Sequence, residues 1–212
     1  MNIGVLLFFL HNILATALLG YKFVSSKDSV FKNFGIVLLL DSVAFAVWSA
    51  AVVLKPENLD LFVTVGAAFF ITSLVFLLIT GTQKMNTSTR EMLVILGVVV
   101  GLVVFYARTF LYPSAPSFSP EGFFFFNLQP IVQMLYIFGL ALTALPTIDS
   151  VASKFKHPYD ALVRYGFIAE VVGGIILITT IDAQVLYISG WVMGAAYLAL
   201  WSILLFSKRA WD

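Results

Sequence analysis

The chain contains no cysteine, so it forms no disulfide, carries no thiolate nucleophile and offers no cysteine-ligated metal. Charge is also scarce, at 11% of 212 residues against about 25% in an average soluble domain. The net charge of +1 is spread along the chain and provides no concentrated basic surface for nucleic acid. Only two histidines occur, His11 and His157, too far apart in sequence to suggest a zinc or haem ligand pair. HExxH, GxSxG and phosphate-cradling glycine loops are all missing, which leaves no visible machinery for a hydrolase or metalloenzyme. The last hydrophobic stretch, Gln184 to Phe206, holds no lysine before Lys208. A retinal Schiff base needs an amine there, so retinal photochemistry is not expected. These absences point to a non-enzymatic protein with no cofactor.

What remains is hydrophobic: 61% of residues are apolar, 16% are aromatic, and the mean hydropathy is +1.01. A bilayer core takes about 20 mainly apolar residues per helix. Seven such runs are present: Ile3 to Lys22, Phe34 to Leu54, Leu61 to Thr82, Met92 to Tyr112, Phe123 to Leu145, Leu162 to Ile181 and Gln184 to Phe206. The expected fold is all-α, a polytopic membrane protein of seven transmembrane helices forming one domain over residues 1–212. Its first partner is the lipid bilayer, and a plasma-membrane location is expected. Ala15-Thr16-Ala17 has the small residues of a cleavage site, but no basic segment precedes it and Leu18-Leu19 continue the apolar run, so span one is read as retained.

Basic residues orient the spans. Lys22, Lys27, Lys32, Lys84, Arg90, Lys154, Lys156, Arg164, Lys208 and Arg209 fall on one side, and only Lys55 and Arg108 on or near the other. The positive-inside bias then puts the amino terminus outside and the carboxyl terminus in the cytoplasm. Arg108, near the outer end of span four, is expected to snorkel to the headgroups, or else to pair with an anionic ligand, Glu121 or Asp182. The outer segment Tyr112 to Gly122, with Pro113, Pro116 and Pro120, reads as an extended cover. The following Phe123 to Phe126 run is expected to open span five, either as an anchor in lipid or as a ligand wall beneath the loop.

Asp41 and Glu170 each lie about two turns, on the order of 12 Å, from the cytoplasmic ends of their helices. A charge at that depth costs roughly 2.5 kcal/mol or more, so each must face the bundle interior, find a donor or stay protonated. They are candidates for a protonation-sensitive site or a polar ligand contact, and equally for interhelical hydrogen bonds. His11, near the middle of span one, is either a proton relay or a hydrogen-bonding link. In span five, helical spacing aligns Gln129, Gln133 and Tyr136, and Pro130 is expected to kink the helix, giving one wall of an outward-facing pocket. Asp41, Phe45, Trp48 and Val52 form a stripe on span two that reads as core or as part of a ligand cage. Gly97 and Gly101, like Gly190 and Gly194, form GxxxG patterns that permit close helix approach within the bundle or in a homo-oligomer.

The outside-to-inside layout, Val47-Trp48-Ser49 in span two, the short outer turn Lys55 to Asp60 and the Ser119-Pro120-Glu121-Gly122 turn before span five together resemble the amino-terminal seven-helix membrane region of certain sensor histidine kinases. That resemblance implies a module that senses a signal and passes it to a cytoplasmic kinase. The chain ends six residues after Phe206, so the expectation is a sensor or receptor-like module that binds a small or lipophilic ligand and acts through a separate cytoplasmic signalling partner. Two alternatives stand beside it. Spans one to three and five to seven run in the same directions around span four, which suits a small-solute or proton-coupled transporter of 3+1+3 design. The glycine faces suit a non-catalytic subunit of a membrane complex.

Overall fold

A computed structural model describes residues 3–54, 57–118, 124–180 and 183–206; the side chains of residues 3–9, of Phe124, Glu170 and Leu177, and of many positions in the last helix lie outside that description. The described residues form seven α-helices: α1 (Ile3–Val24), α2 (Ser29–Leu54), α3 (Leu59–Gly81), α4 (Thr87–Tyr106), α5 (Pro130–Ala152), α6 (Tyr159–Thr179) and α7 (Ala183–Phe206). A π-helical turn, Ala107–Leu111, extends α4. A small antiparallel hairpin pairs β1 (Ser117–Phe118) with β2 (Phe124–Phe125), in the register Ser117 to Phe125 and Phe118 to Phe124.

Local chemistry moves several helix ends beyond the apolar runs. Asp28 accepts from the amides of Val30 and Phe31 at 2.8 and 3.3 Å, capping α2 five residues before Phe34. Asn86 accepts from the Thr89 amide at 2.9 Å and starts α4 at Thr87, ahead of the expected Met92. The largest correction concerns span five, expected over Phe123 to Leu145 with a kink at Pro130. Pro130 is instead the first residue of α5, where its missing N–H costs no helical bond. Asn127, at φ 48°, breaks the chain before it and donates through Nδ2 to the Ala115 carbonyl at 2.7 Å and the Ser117 hydroxyl at 3.1 Å, closing the hairpin. Part of the Phe123 to Phe126 run therefore forms β2 and does not open a span; Phe123 lies outside the described residues. The proline inside α5 is Pro146.

Contacts follow the ring α1, α2, α3, α5, α6, α7 and back to α1, with α4 packed outside against α3 and α5. At one end the three connections α1–α2, α3–α4 and α5–α6 meet. Lys154 pairs with Asp28 at 2.5 Å, Ser29 donates to the Gln83 side chain at 2.7 Å, and Lys84 donates to Ser153 at 3.1 Å. Beneath this basic end lies an aromatic core joining α1, α2 and α6 to the α5–α6 connection. Phe23 and Phe31 stack at 4.9 Å between ring centroids, Phe31 meets Phe155 edge-on at 5.3 Å, and Phe34 meets Phe167 at 5.5 Å. A second core at the hairpin end combines Val104, Ala107, Leu128, Val132 and Tyr136.

The outside of the bundle is as apolar as its inside. Leu10, Leu14 and Leu18 on α1 and Met92, Ile95, Leu96, Val99 and Leu102 on α4 are all exposed. Water does not tolerate so large a continuous apolar surface, whereas lipid does. Among the described residues, four helical segments are long and apolar enough to cross a membrane: Ser29–Leu54, Leu59–Gly81, Thr87–Leu111 and Pro130–Ala152. The chain is a helical membrane protein. Because lipid tails are as apolar as leucine, close packing and interhelical hydrogen bonds must hold such helices together. Glycines supply the close approach. A side-chain carbon on Gly97 would lie 2.4 Å from Leu78 and one on Gly101 2.9 Å from Ile71, so this GxxxG face is occupied by α3 of the same chain. Gly190 and Gly194 lie outside the residues whose side chains are described.

Candidate functional site

Between the two cores, α2, α3, α5 and α6 line a partly open cavity of about 140 Å³. Its wall on α2 is the stripe Asp41, Phe45 and Trp48, extended toward the basic end by Phe34, Val37 and Leu38; α3 contributes Ala67, Phe70, Ser73, Leu74 and Leu77. Phe126 and Leu128 close it from the hairpin side, and Tyr136, Leu140, Thr143, Phe167, Val171, Gly174 and Ile178 complete it from α5 and α6. The volume is close to that of the roughly 150 Å³ apolar cavities that stay dry and take up benzene.

Trp48 organises the aromatic part. Its ring centroid lies 5.9 Å from Phe45, 6.0 Å from Phe70 and 5.7 Å from Phe126, with the Phe45 and Phe126 contacts edge-on. Space for the indole comes from Gly66, where an added side-chain carbon would stand 2.1 Å from Trp48 Nε1. One helical turn separates Asp41 from Phe45 and another separates Phe45 from Trp48, which puts a carboxyl and two ring systems on one face. Asp41 is 8% exposed, and its Oδ1 has no hydrogen-bond partner among the described residues. Ser73 on α3 is within hydrogen-bonding reach of the Asp41 carboxyl, and its hydroxyl is directed to the Phe70 carbonyl at 2.8 Å. Thr143 gives its hydroxyl to Gly139 and Leu140 carbonyls. The described lining residues include no lysine, arginine or histidine to answer the carboxyl.

Of the residues expected to form a site, the fold brings Asp41, Trp48 and Tyr136 to this cavity. Gln129 is exposed at the cap of α5, and Gln133 turns its amide back to the Leu128 carbonyl at 3.0 Å; neither lines the cavity, because α5 starts at Pro130 and the face drawn through Gln129 is not helical there. His11 sits apart, its Nε2 at 3.2 Å from the Ser202 hydroxyl, linking α1 to α7. Glu170 belongs to α6, and its side chain lies outside the described residues. Among the described residues no three histidines or carboxylates gather as a metal site.

Arg108 overturns the snorkelling expectation. Its side chain is 1% exposed, donating to Asp60 Oδ1 at 2.9 Å and to the Thr64 hydroxyl at 2.5 Å. The π turn carries it inward: the Tyr112 amide reaches the Ala107 carbonyl at 2.7 Å, the wider ring that rotates residue 108 toward α3. Glu121 and Asp182, the partners considered from sequence, lie outside the described residues. Asp60 carried a usable signal, an acid in the first turn of α3 at the same membrane level. Phe70 and Ser73 carried none, since phenylalanine and serine are ordinary in a membrane helix.

Comparison of the chain with known protein families, curated proteins and solved structures finds no match.

Proposed function

We propose that the chain crosses the membrane seven times with its amino terminus outside, and that it is a sensor or receptor-like module holding a small, largely apolar ligand among α2, α3, α5 and α6. The observation that carries this reading is the cavity itself. Well-packed bundles leave few voids larger than a water molecule, yet here one of about 140 Å³ lies between two tightly packed cores and holds a buried carboxyl. A ligand seated there touches four helices at once. It thereby biases the joined connections at the basic end, where a cytoplasmic partner would read the change. The resemblance to the membrane region of sensor histidine kinases supports that mode of action.

Native mass spectrometry of protein gently extracted from its own membrane tests the proposal. A small adduct is expected on the native chain and should be lost from Ala67→Trp, which fills the cavity. A native chain without adduct, whose thermal unfolding is also unmoved by small aromatic compounds, refutes it.

The ring order favours one second reading. With α4 outside, α1-α2-α3 and α5-α6-α7 follow each other around the ring in the same sense, as in a transporter built from two parallel triples. That reading requires solute flux in vesicles that depends on Asp41, and flux indifferent to Asp41→Asn would dismiss it.

A further inference from the structure

We infer that the ligand of this cavity is a small organic ammonium, an amine of roughly eight non-hydrogen atoms, bound between the Asp41 carboxylate and the aromatic faces around Trp48. The inference rests on the reading of the cavity as a ligand site and adds the chemistry of what enters it.

Charge supplies the first argument. Asp41 is more than nine-tenths buried and lines the cavity with one oxygen unpartnered. No cationic side chain among the described lining residues compensates it. A buried carboxyl without a counter-charge holds its proton or bears the cost of its charge, and a cation brought by the ligand lets it ionise at lower cost.

The walls favour a cation as well. Phe45, Trp48, Phe70 and Phe126 form a connected aromatic cluster bordering the same space. Ring faces attract ammonium groups most strongly when water is excluded, which is how aromatic cages recognise alkylated amines. An amine supplies its own donors to Asp41 Oδ1 and a carbon body for the apolar remainder. Size is the third constraint: the volume accommodates a single ring with a short substituent.

The test places the full chain in phosphatidylcholine nanodiscs and titrates it calorimetrically with benzylamine, benzyl alcohol and toluene. Benzylamine is expected to bind on the order of tenfold more tightly than benzyl alcohol. Asp41→Asn should abolish that preference while leaving toluene binding unchanged. Equal affinities for benzylamine and benzyl alcohol, or a preference that survives Asp41→Asn, would overturn the ammonium inference and leave the ligand cavity standing. Failure of all three compounds to bind would overturn the ligand-site reading itself. Should Asp41→Asn not assemble, Phe45→Leu keeps the carboxyl and removes a ring; it is expected to weaken benzylamine more than toluene, and equal weakening counts against the inference.

Discussion

Replacing Gly81 by alanine probes the seam between α3 and α5 that closes one side of the cavity. The added carbon would lie 2.7 Å from both the amide nitrogen and the hydroxyl of Thr147, and 2.8 Å from the carbonyl carbon of Pro146. Ordinary contact begins at 3.4 Å, and the nearest atoms include rigid backbone, so the helices must part by about 0.7 Å. Two interhelical hydrogen bonds cross that seam: the Thr147 hydroxyl donates to the Leu77 carbonyl at 2.9 Å and the Ser150 hydroxyl to the Gly81 carbonyl at 2.8 Å. A separation of that size stretches both to the edge of useful geometry.

Each such bond within a membrane bundle is worth about 0.6 kcal/mol on average. Overpacking adds about 1–3 kcal/mol. Gly81→Ala is therefore expected to destabilise the folded chain by about 2–4 kcal/mol. Denaturant unfolding in mild detergent, followed by loss of helical circular dichroism, measures it. Gly139→Ala is the internal control, because its added carbon would meet only Val100, at an ordinary 3.9 Å. If the two variants unfold at the same denaturant concentration, backbone contact does not hold this seam.

Three further outcomes are expected. Asp60→Asn should destabilise the chain more than Arg108→Met, by about 1–3 kcal/mol against a smaller loss, since the first removes the counter-charge of a guanidinium that is 1% exposed while the second leaves a carboxylate that is 53% exposed; thermal unfolding that ranks them the other way refutes the contribution of this ion pair. Asp28 lies outside the helices, where burial pushes its carboxyl up, but Lys154 and the Val30 and Phe31 amides outweigh burial and hold it below 3.8. A depressed carboxyl contributes stability above its unfolded value and loses it as pH falls through the folded one. Asp28→Asn should therefore lower the unfolding temperature at neutral pH and converge with the native chain in acid, and a gap that persists in acid would contradict the Lys154 contact. Gly66→Ala should displace the Trp48 indole and shift tryptophan emission, with no such shift in a Trp48→Phe background; unchanged emission would place Trp48 elsewhere.

Helical class and the approximate ends of four helices, α1, α3, α6 and α7, were legible because long apolar runs leave a bilayer protein few choices. Span five was not, and the reason is local. Proline at position 130 and proline at position 146 are both compatible with a helix end or an interior, and hydropathy does not separate the two. The left-handed Asn127 and its two bonds across the hairpin decide it by stopping any helix that would begin at Phe123. Once α5 starts at Pro130, Gln129 becomes a cap residue and the polar face drawn through it disappears. A shift of one helix thus removed two amides from the site and left Tyr136 in it.

The α2 half of the site was visible as a stripe, whereas its meaning was not. Asp41, Phe45 and Trp48 share a face by spacing alone, but spacing cannot tell a filled core from an empty one. The difference lies on α3. Gly66 admits the indole and Phe70 braces it, while small Ala67 and Ser73 leave the space open opposite Asp41. Arg108 shows the same limitation in reverse. A long cationic stem near a helix end is expected to reach for headgroups, and only the π turn, which depends on how α4 meets α3 and α5, rotates it onto Asp60 and Thr64. That ion pair ties the end of α4 to the start of α3, next to Ala107, which belongs to the core that contains Tyr136 and Leu128. The hairpin-side wall of the cavity therefore rests on an ion pair, and loss of Asp60 is expected to loosen ligand binding as well as the fold. Benzylamine titration of Asp60→Asn separates the two: weakened binding below its unfolding transition ties the pair to the site, and native affinity there confines the pair to stability.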